Sequence, residues 1–335
     1  MSEGEERQEA STGMHSGGDR THAHRNPVSM AKGLDRQIDR LEVRRAAKAE
    51  DRAQGILRGQ RMRAGTEKLL TRTTSGAIYA ILVVACIFVH PFATVLLVSA
   101  MAWLCCSELY RICRMAGRMP MELVGLTAAV AFPVASYIWG LPGIVLLVLL
   151  LLIATACWYV FTPRASLADV SATVFGPIYT SVAFCAVVFL RMTDPGIDGA
   201  LLAFGSMASV WVNDAFAYFV GSRFGAHKMA PRISPHKSWE GFAGGMCGSI
   251  LVFVLLSRLW AGGDSLPVLY AIFMGLVVGT VGDIGDLFES RIKRGVGVKD
   301  SGNIMPGHGG LLDRSDSLLF GCTTAYILLL FGGII

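Results

Sequence analysis

Residues 121–161 read MELVGLTAAVAFPVASYIWGLPGIVLLVLLLLIATACWYVF, with Glu122 the sole charged side chain in the run. A helix needs about 20 apolar residues to cross the hydrocarbon core of a bilayer. This run is about twice that long, and Gly140-Leu141-Pro142 interrupts its middle. It therefore predicts two spans, 121–139 and 142–161, joined by a tight turn. The flanks repeat the pattern over 76–90, 92–108, 170–190, 199–220, 241–260, 266–288 and 316–334. The expected fold class is an all-α polytopic integral membrane protein of about nine transmembrane or membrane-embedded helices, with a polar N-terminal tail. The first two segments are short, and a hairpin that stops short of a full crossing is the alternative there.

Composition agrees. Hydrophobic residues make up 53% of the 335 and charged residues 16%, against about 25% charged in soluble domains. The eight cysteines lie in or just beyond apolar blocks, none paired at zinc-ligand spacing with a nearby histidine, so they read as small buried residues. No apolar core near the N-terminus suits a signal peptide, and insertion is expected to rest on the spans themselves. Residues 1–30 are polar and read as a solvated tail. Within 34–53, Leu34, Ile38 and Leu41 share one helical face among arginines, a weak amphipathic pattern that suits anionic headgroups or plain solvent equally.

Basic residues mark one side of the membrane. Residues 1–74 hold 15 Lys/Arg against 11 Asp/Glu. Alternate connections then carry Arg111, Arg114 and Arg118; Arg164; Arg223, Lys228, Arg232 and Lys237; and Arg291, Lys293, Arg294 and Lys299. The opposite connections are nearly free of them, Arg191 excepted. Lys and Arg are retained on the cytoplasmic side during insertion, so both long polar loops are expected there.

Those loops hold the chemistry. Asp283 and Asp286 are three apart, hence on one helical face, and Glu289 continues it. Clustered carboxylates suit Mg²⁺, which shares a nucleotide's phosphates. Lys293, Arg294, Lys299 and Asp300 follow. In Pro306-Gly307-His308-Gly309-Gly310 the glycines allow backbone N–H groups close to an anion. Asp313-Arg314-Ser315-Asp316 opens the last span. Upstream, Asp214 falls inside the span 199–220, where a carboxylate is costly unless paired, hydrated or metal-bound. In Ser234-Pro235-His236-Lys237-Ser238-Trp239-Glu240-Gly241, Lys237 suits a phosphate, and Trp239 suits either a base or the membrane interface. Neither GxxxxGK[ST] nor GxGxxG is present. Acid, base and a glycine turn together are the inventory of metal-assisted phosphoryl or nucleotidyl transfer.

The composite S-x-x-K-R (Ser290–Arg294), K-D (Lys299-Asp300), P-G-H-G-G (306–310) and D-R-x-D (Asp313–Asp316) resembles the signature of the phosphatidate cytidylyltransferase (CDP-diacylglycerol synthase) family. The W-x-x-D-x-x-A-Y run from Trp211 to Tyr218 and the segment 234–241 are similar to it as well. The resemblance covers roughly 205–320.

It implies an enzyme that joins CTP to phosphatidic acid, releasing pyrophosphate. It also implies Mg²⁺, one ion or two, on Asp214, Asp283 and Asp286, while Asp313 and Asp316 either hold a second metal or orient Arg314. Lys293, Lys299 and Arg314 would take phosphate charge, with contacts from Lys237, Ser290, Arg294, Gly309 and Gly310. His308 would protonate pyrophosphate or position the turn. The organisation implied is a tail (1–74), N-terminal membrane helices (75–198) and a catalytic membrane region (199–335). Partners are the two substrates and membrane lipids, with no nucleic acid; a homodimer is left open. The rival readings are a CTP-dependent polyprenol or phytol kinase and a transporter.

Overall fold

The computed structural model describes residues 73–260, 266–302, 304 and 309–335, together with Val43, Ala46, Lys48, Glu50 and Leu70. The chain forms two compact units, Met1–Thr66 and Glu67–Ile335. In the first, the four described residues are helical and exposed; the remainder of the expected 34–53 helix and the 1–30 tail lie outside the described residues.

The second unit is a helical membrane bundle: α1 (Thr73–Val89), α2 (Pro91–Met115), α3 (Glu122–Phe161), α4 (Leu167–Pro177), a π-helical turn (Ile178–Val182), α5 (Ala183–Met192), α6 (Ile197–Phe224), α7 (Trp239–Leu259), α8 (Val268–Gly295) and α9 (Leu312–Phe331). Among the described residues the exception to helix is an antiparallel ribbon, β1 (Lys228–Ala230) with β2 (Ser234–Ser238).

Local chemistry sets the boundaries. His90 caps α2, its Nδ1 accepting from the Phe92 N–H at 3.1 Å, with Pro91 in the first turn. Ser166 and Asp169 form a reciprocal capping box at the start of α4. Asp169 also accepts from the Met119 N–H at 2.7 Å, tying the α2–α3 connection to α4.

Six helices among the described residues are long and apolar enough to cross a membrane, against the nine segments expected. Three things account for the difference. Thr73–Val89 is apolar but short. The two spans expected over 121–161 run as one 40-residue element divided at Gly140, whose non-helical φ of 64° and ψ of −146°, which only glycine adopts without strain, separate two helices at the expected place. The last helix opens on Asp313, Arg314 and Asp316, which keeps it out of the apolar set.

Burial is arranged as lipid solvation demands. The core joins apolar side chains from both halves of the bundle, including Val95, Ala102, Leu202, Phe253, Met274 and Leu319. Large apolar side chains such as Val145, Leu149 and Ile153 face outward on α3, where lipid replaces water as their neighbour. Arg191, the basic residue on the side otherwise poor in Lys and Arg, is buried. Its Nε donates to the Ile87 carbonyl at 2.8 Å and its Nη1 to that of Asp194 at 3.0 Å. It closes helix ends there and does not contradict the charge asymmetry.

Candidate active site

One end of the bundle carries the site. The C-terminal turns of α6 and α8, the ribbon, and the first turns of α7 and α9 enclose a cavity of about 710 Å³. Its lining includes Asp214, Asp283, Asp286, Asp300, Asp313 and Asp316, and also Lys228, Lys237, Lys293, Arg294, Lys299 and Arg314.

Lys237 reaches the cavity because of how α7 begins. Ser238 is the N-cap, extended in backbone, and its Oγ accepts from the Gly241 N–H at 3.2 Å. Gly241 lies against α6 so closely that a Cβ would sit 2.8 Å from the Ala217 carbonyl; only glycine lets the two helices meet there. Glu240 reaches back to the His227 N–H (3.2 Å) and ring Nδ1 (2.6 Å), fastening the ribbon to the helix. Lys237 immediately precedes the cap, so its ammonium projects to α8. There it pairs with Asp283 and, at 3.0 Å, with Asp286. Burial works against the charged lysine, but Asp286 and Asp283 outweigh it and hold its pKa above the ordinary value.

On α8 the expected shared face is present. Asp283 is buried, accepting also from Asn213 Nδ2 at 3.4 Å, and Asp286 is the more open of the two. Ser290 does not line the cavity: its hydroxyl donates to Asp286 Oδ1 at 3.2 Å. Glu289 is buried and paired with Lys293, whose ammonium also donates to Asp313 Oδ1 at 2.6 Å.

Asp313 and Asp316 have different surroundings. Asp313 accepts from Lys293, from the Ser301 N–H (2.9 Å to Oδ2) and from the Gly310 N–H (2.8 Å). Its carboxylate is thereby committed to holding the loop onto α8. Asp316 faces the cavity and accepts from the Ser317 N–H at 2.7 Å. Gly309 has φ 88°, a left-handed turn that glycine permits, and neither it nor Gly310 lines the cavity. His308 lies outside the described residues. Trp239 stands outside the cavity, edge-on to Phe242 with centroids 5.8 Å apart, so a role in stacking on a base has no geometric support. Among the described residues, no group of three or more His, Cys, Asp or Glu side chains is assembled as a metal site.

A model of the cytidylyltransferase family matches residues 70–331. The chain belongs to the cytidylyltransferase family. It is similar to the phosphatidate cytidylyltransferase of Bacillus subtilis strain 168, 40% identical over 151 residues, covering 44% of this chain and 54% of that protein. The enzyme of the same name from Thermotoga maritima is 45% identical over 139 residues, 40% of this chain and 50% of the relative. That of Mycobacterium tuberculosis strain H37Rv is 40% identical over 168 residues, 50% of this chain and 49% of the relative. The chain spans about half the length of the relatives it matches.

In this cytidylyltransferase-family chain, charged residues of the motifs from residue 214 onward, far apart in sequence, line one cavity. The family match begins much earlier, at residue 70, and the structure shows why α2 belongs to the site's architecture. Glu108 is buried and accepts from Ser301 Oγ (2.9 Å), the Leu311 N–H (3.1 Å) and the Leu312 N–H (2.8 Å). Arg111, one turn on, donates to the Ser301 carbonyl. Sequence reading counted Arg111 as topological charge and passed over Glu108. The signal was present, because Glu108 is the one acidic residue within α2, and a lone intramembrane carboxylate asks for a partner.

Proposed function

We propose that this cavity transfers the cytidylyl group of CTP to phosphatidic acid, giving CDP-diacylglycerol and pyrophosphate. The observation that carries the reading is the convergence of Asp214, Asp283, Asp286 and Asp316 with Lys237, Lys293, Arg294, Lys299 and Arg314 on one cavity at a helix-bundle end, in a chain of this family. In the reaction a phosphate oxygen of the lipid forms a bond to the α-phosphorus of CTP. The bond from that phosphorus to the bridging oxygen of the β-phosphate breaks, and pyrophosphate leaves with the electron pair. A phosphate monoester is already an anionic nucleophile, so no strong base is needed. The difficulty is bringing two polyanions together, and the lysines and arginines of the lining supply the opposing charge. Arg314 suits a bidentate phosphate contact.

The donor set fits magnesium. Asp283 and Asp286 already share one cation, the Lys237 ammonium. A hard divalent ion accepts such a carboxylate pair, with phosphate and water oxygens completing its shell. When bound, the ion would offset phosphate charge. Asp283 and Asp286 would hold it, and Asp214 and Asp316 face the same space. Purified protein given CTP, phosphatidic acid and Mg²⁺ should release pyrophosphate only when both substrates are present. Equal release from CTP alone would indicate hydrolysis and overturn the reading.

The same reading puts the cavity on the cytoplasmic side of a cell membrane, where CTP is found, in agreement with the basic connections at that end. In a cysteine-free background, an impermeant thiol reagent should label Thr193→Cys on intact cells. Arg232→Cys, exposed on the ribbon's turn, should label only after permeabilisation. The reverse pattern would invert the orientation.

A further inference from the structure

We infer that Glu108 is a positioning residue for the transfer reaction: from α2, outside the motif-bearing half, it seats the segment that presents Arg314 and Asp316 to the cavity. The inference rests on the cytidylyl-transfer reading for what the seated residues do, but the seating itself is geometric. The opening of a helix leaves backbone N–H groups without intrahelical partners. At α9 two of these, on Leu311 and Leu312, donate to the two Glu108 oxygens at 3.1 and 2.8 Å. Such caps are ordinarily supplied by the chain just before the helix; here the acceptor lies some two hundred residues upstream, on a membrane helix.

The remaining acceptor capacity of Glu108 takes the Ser301 hydroxyl at 2.9 Å. Ser301 is itself held at both ends, its carbonyl by Arg111 and its N–H by Asp313. Gly302 and Gly310 press on this cluster so closely that a Cβ on either would collide with the Glu108 carboxylate. Glu108, Ser301 and Asp313 thus form one hydrogen-bonded chain, and Lys293 closes it from α8. A carboxylate at the positive end of a helix dipole adds to the hold. Moving Glu108 would move the first turn of α9, which carries Arg314 and Asp316 into the cavity.

The test compares Glu108→Gln, Glu108→Asp and Glu108→Ala with wild type, each purified and monodisperse. Two readouts are taken: steady-state kinetics, and hydrogen exchange at the Leu311 and Leu312 amides. Glu108→Ala should exchange at least tenfold faster at both amides and turn over at least thirtyfold more slowly. Its KM for phosphatidic acid should stay within threefold of wild type. Glu108→Gln keeps the shape and one acceptor oxygen but turns an NH₂ toward a donor; it should lose about tenfold in turnover, which keeps the test valid if the alanine variant does not fold. Glu108→Asp, which retains the charge, should recover part of the alanine loss.

Faster exchange with wild-type turnover would reduce Glu108 to a helix cap and overturn the inference. So would lost turnover with unchanged exchange. A wild-type protein inert toward CTP would sink the cytidylyl-transfer reading, and the exchange comparison would still decide the seating.

Discussion

Asp286→Asn is expected to lower turnover by about a thousandfold in protein that remains folded. The side chain stands at the mouth of the carboxylate pair, partly open to the cavity, 3.0 Å from the Lys237 ammonium. Asparagine keeps its volume and an oxygen able to accept from Ser290, so packing on α8 is preserved. What it removes is half of the negative charge facing the cation position. A thousandfold corresponds to about 4 kcal/mol of lost transition-state stabilisation, within what loss of a correctly held metal costs. Asp283→Asn should match it in turnover but cost more stability, because Asp283 is buried and carries the second contact from Lys237 and the one from Asn213. Assay of monodisperse protein across a Mg²⁺ titration distinguishes the two. Wild-type turnover and Mg²⁺ dependence in Asp286→Asn would take this residue out of the metal site and leave Asp316 as the next candidate.

Lys293→Met should act on folding before it acts on chemistry. The ammonium is buried between Glu289 and Asp313. Methionine fills similar space but leaves two buried carboxylates without their counter-ion. Removing one partner of a buried ion pair costs about 3–5 kcal/mol, here lowering the detergent melting midpoint by about 6 °C or more. Glu289→Gln in the same chain removes one orphaned charge and should restore part of the loss. A single variant melting with wild type would show that the network does not hold the loop to α8.

Much of this architecture is legible from side-chain type alone. The run at 121–161 announces membrane helices because no charged residue follows Glu122 in it, and the break expected at Gly140–Pro142 is where the backbone leaves helical geometry. The α8 carboxylates are legible because a spacing of three fixes their shared face. Lys237 as their partner is not, since that depends on the ribbon and the Ser238 cap folding across from another loop. Nor does sequence separate Asp313 from Asp316: both sit in one motif, yet one is committed to Lys293, Ser301 and Gly310 while the other faces open space. Glu108 was missed because attention to motifs passes over a single carboxylate far from them. The depth argument that singled out Asp214 applies to it equally.

The central claim is that this cavity moves a cytidylyl group, and a doubly labelled nucleotide tests it directly. Purified protein would be incubated with phosphatidic acid, Mg²⁺ and CTP carrying one label on the α-phosphate and another on the γ-phosphate. The account predicts the α label in a lipid product that migrates as CDP-diacylglycerol, and the γ label wholly in pyrophosphate. Appearance of the γ label in lipid, with CDP released, would contradict it and make the protein a CTP-dependent lipid kinase.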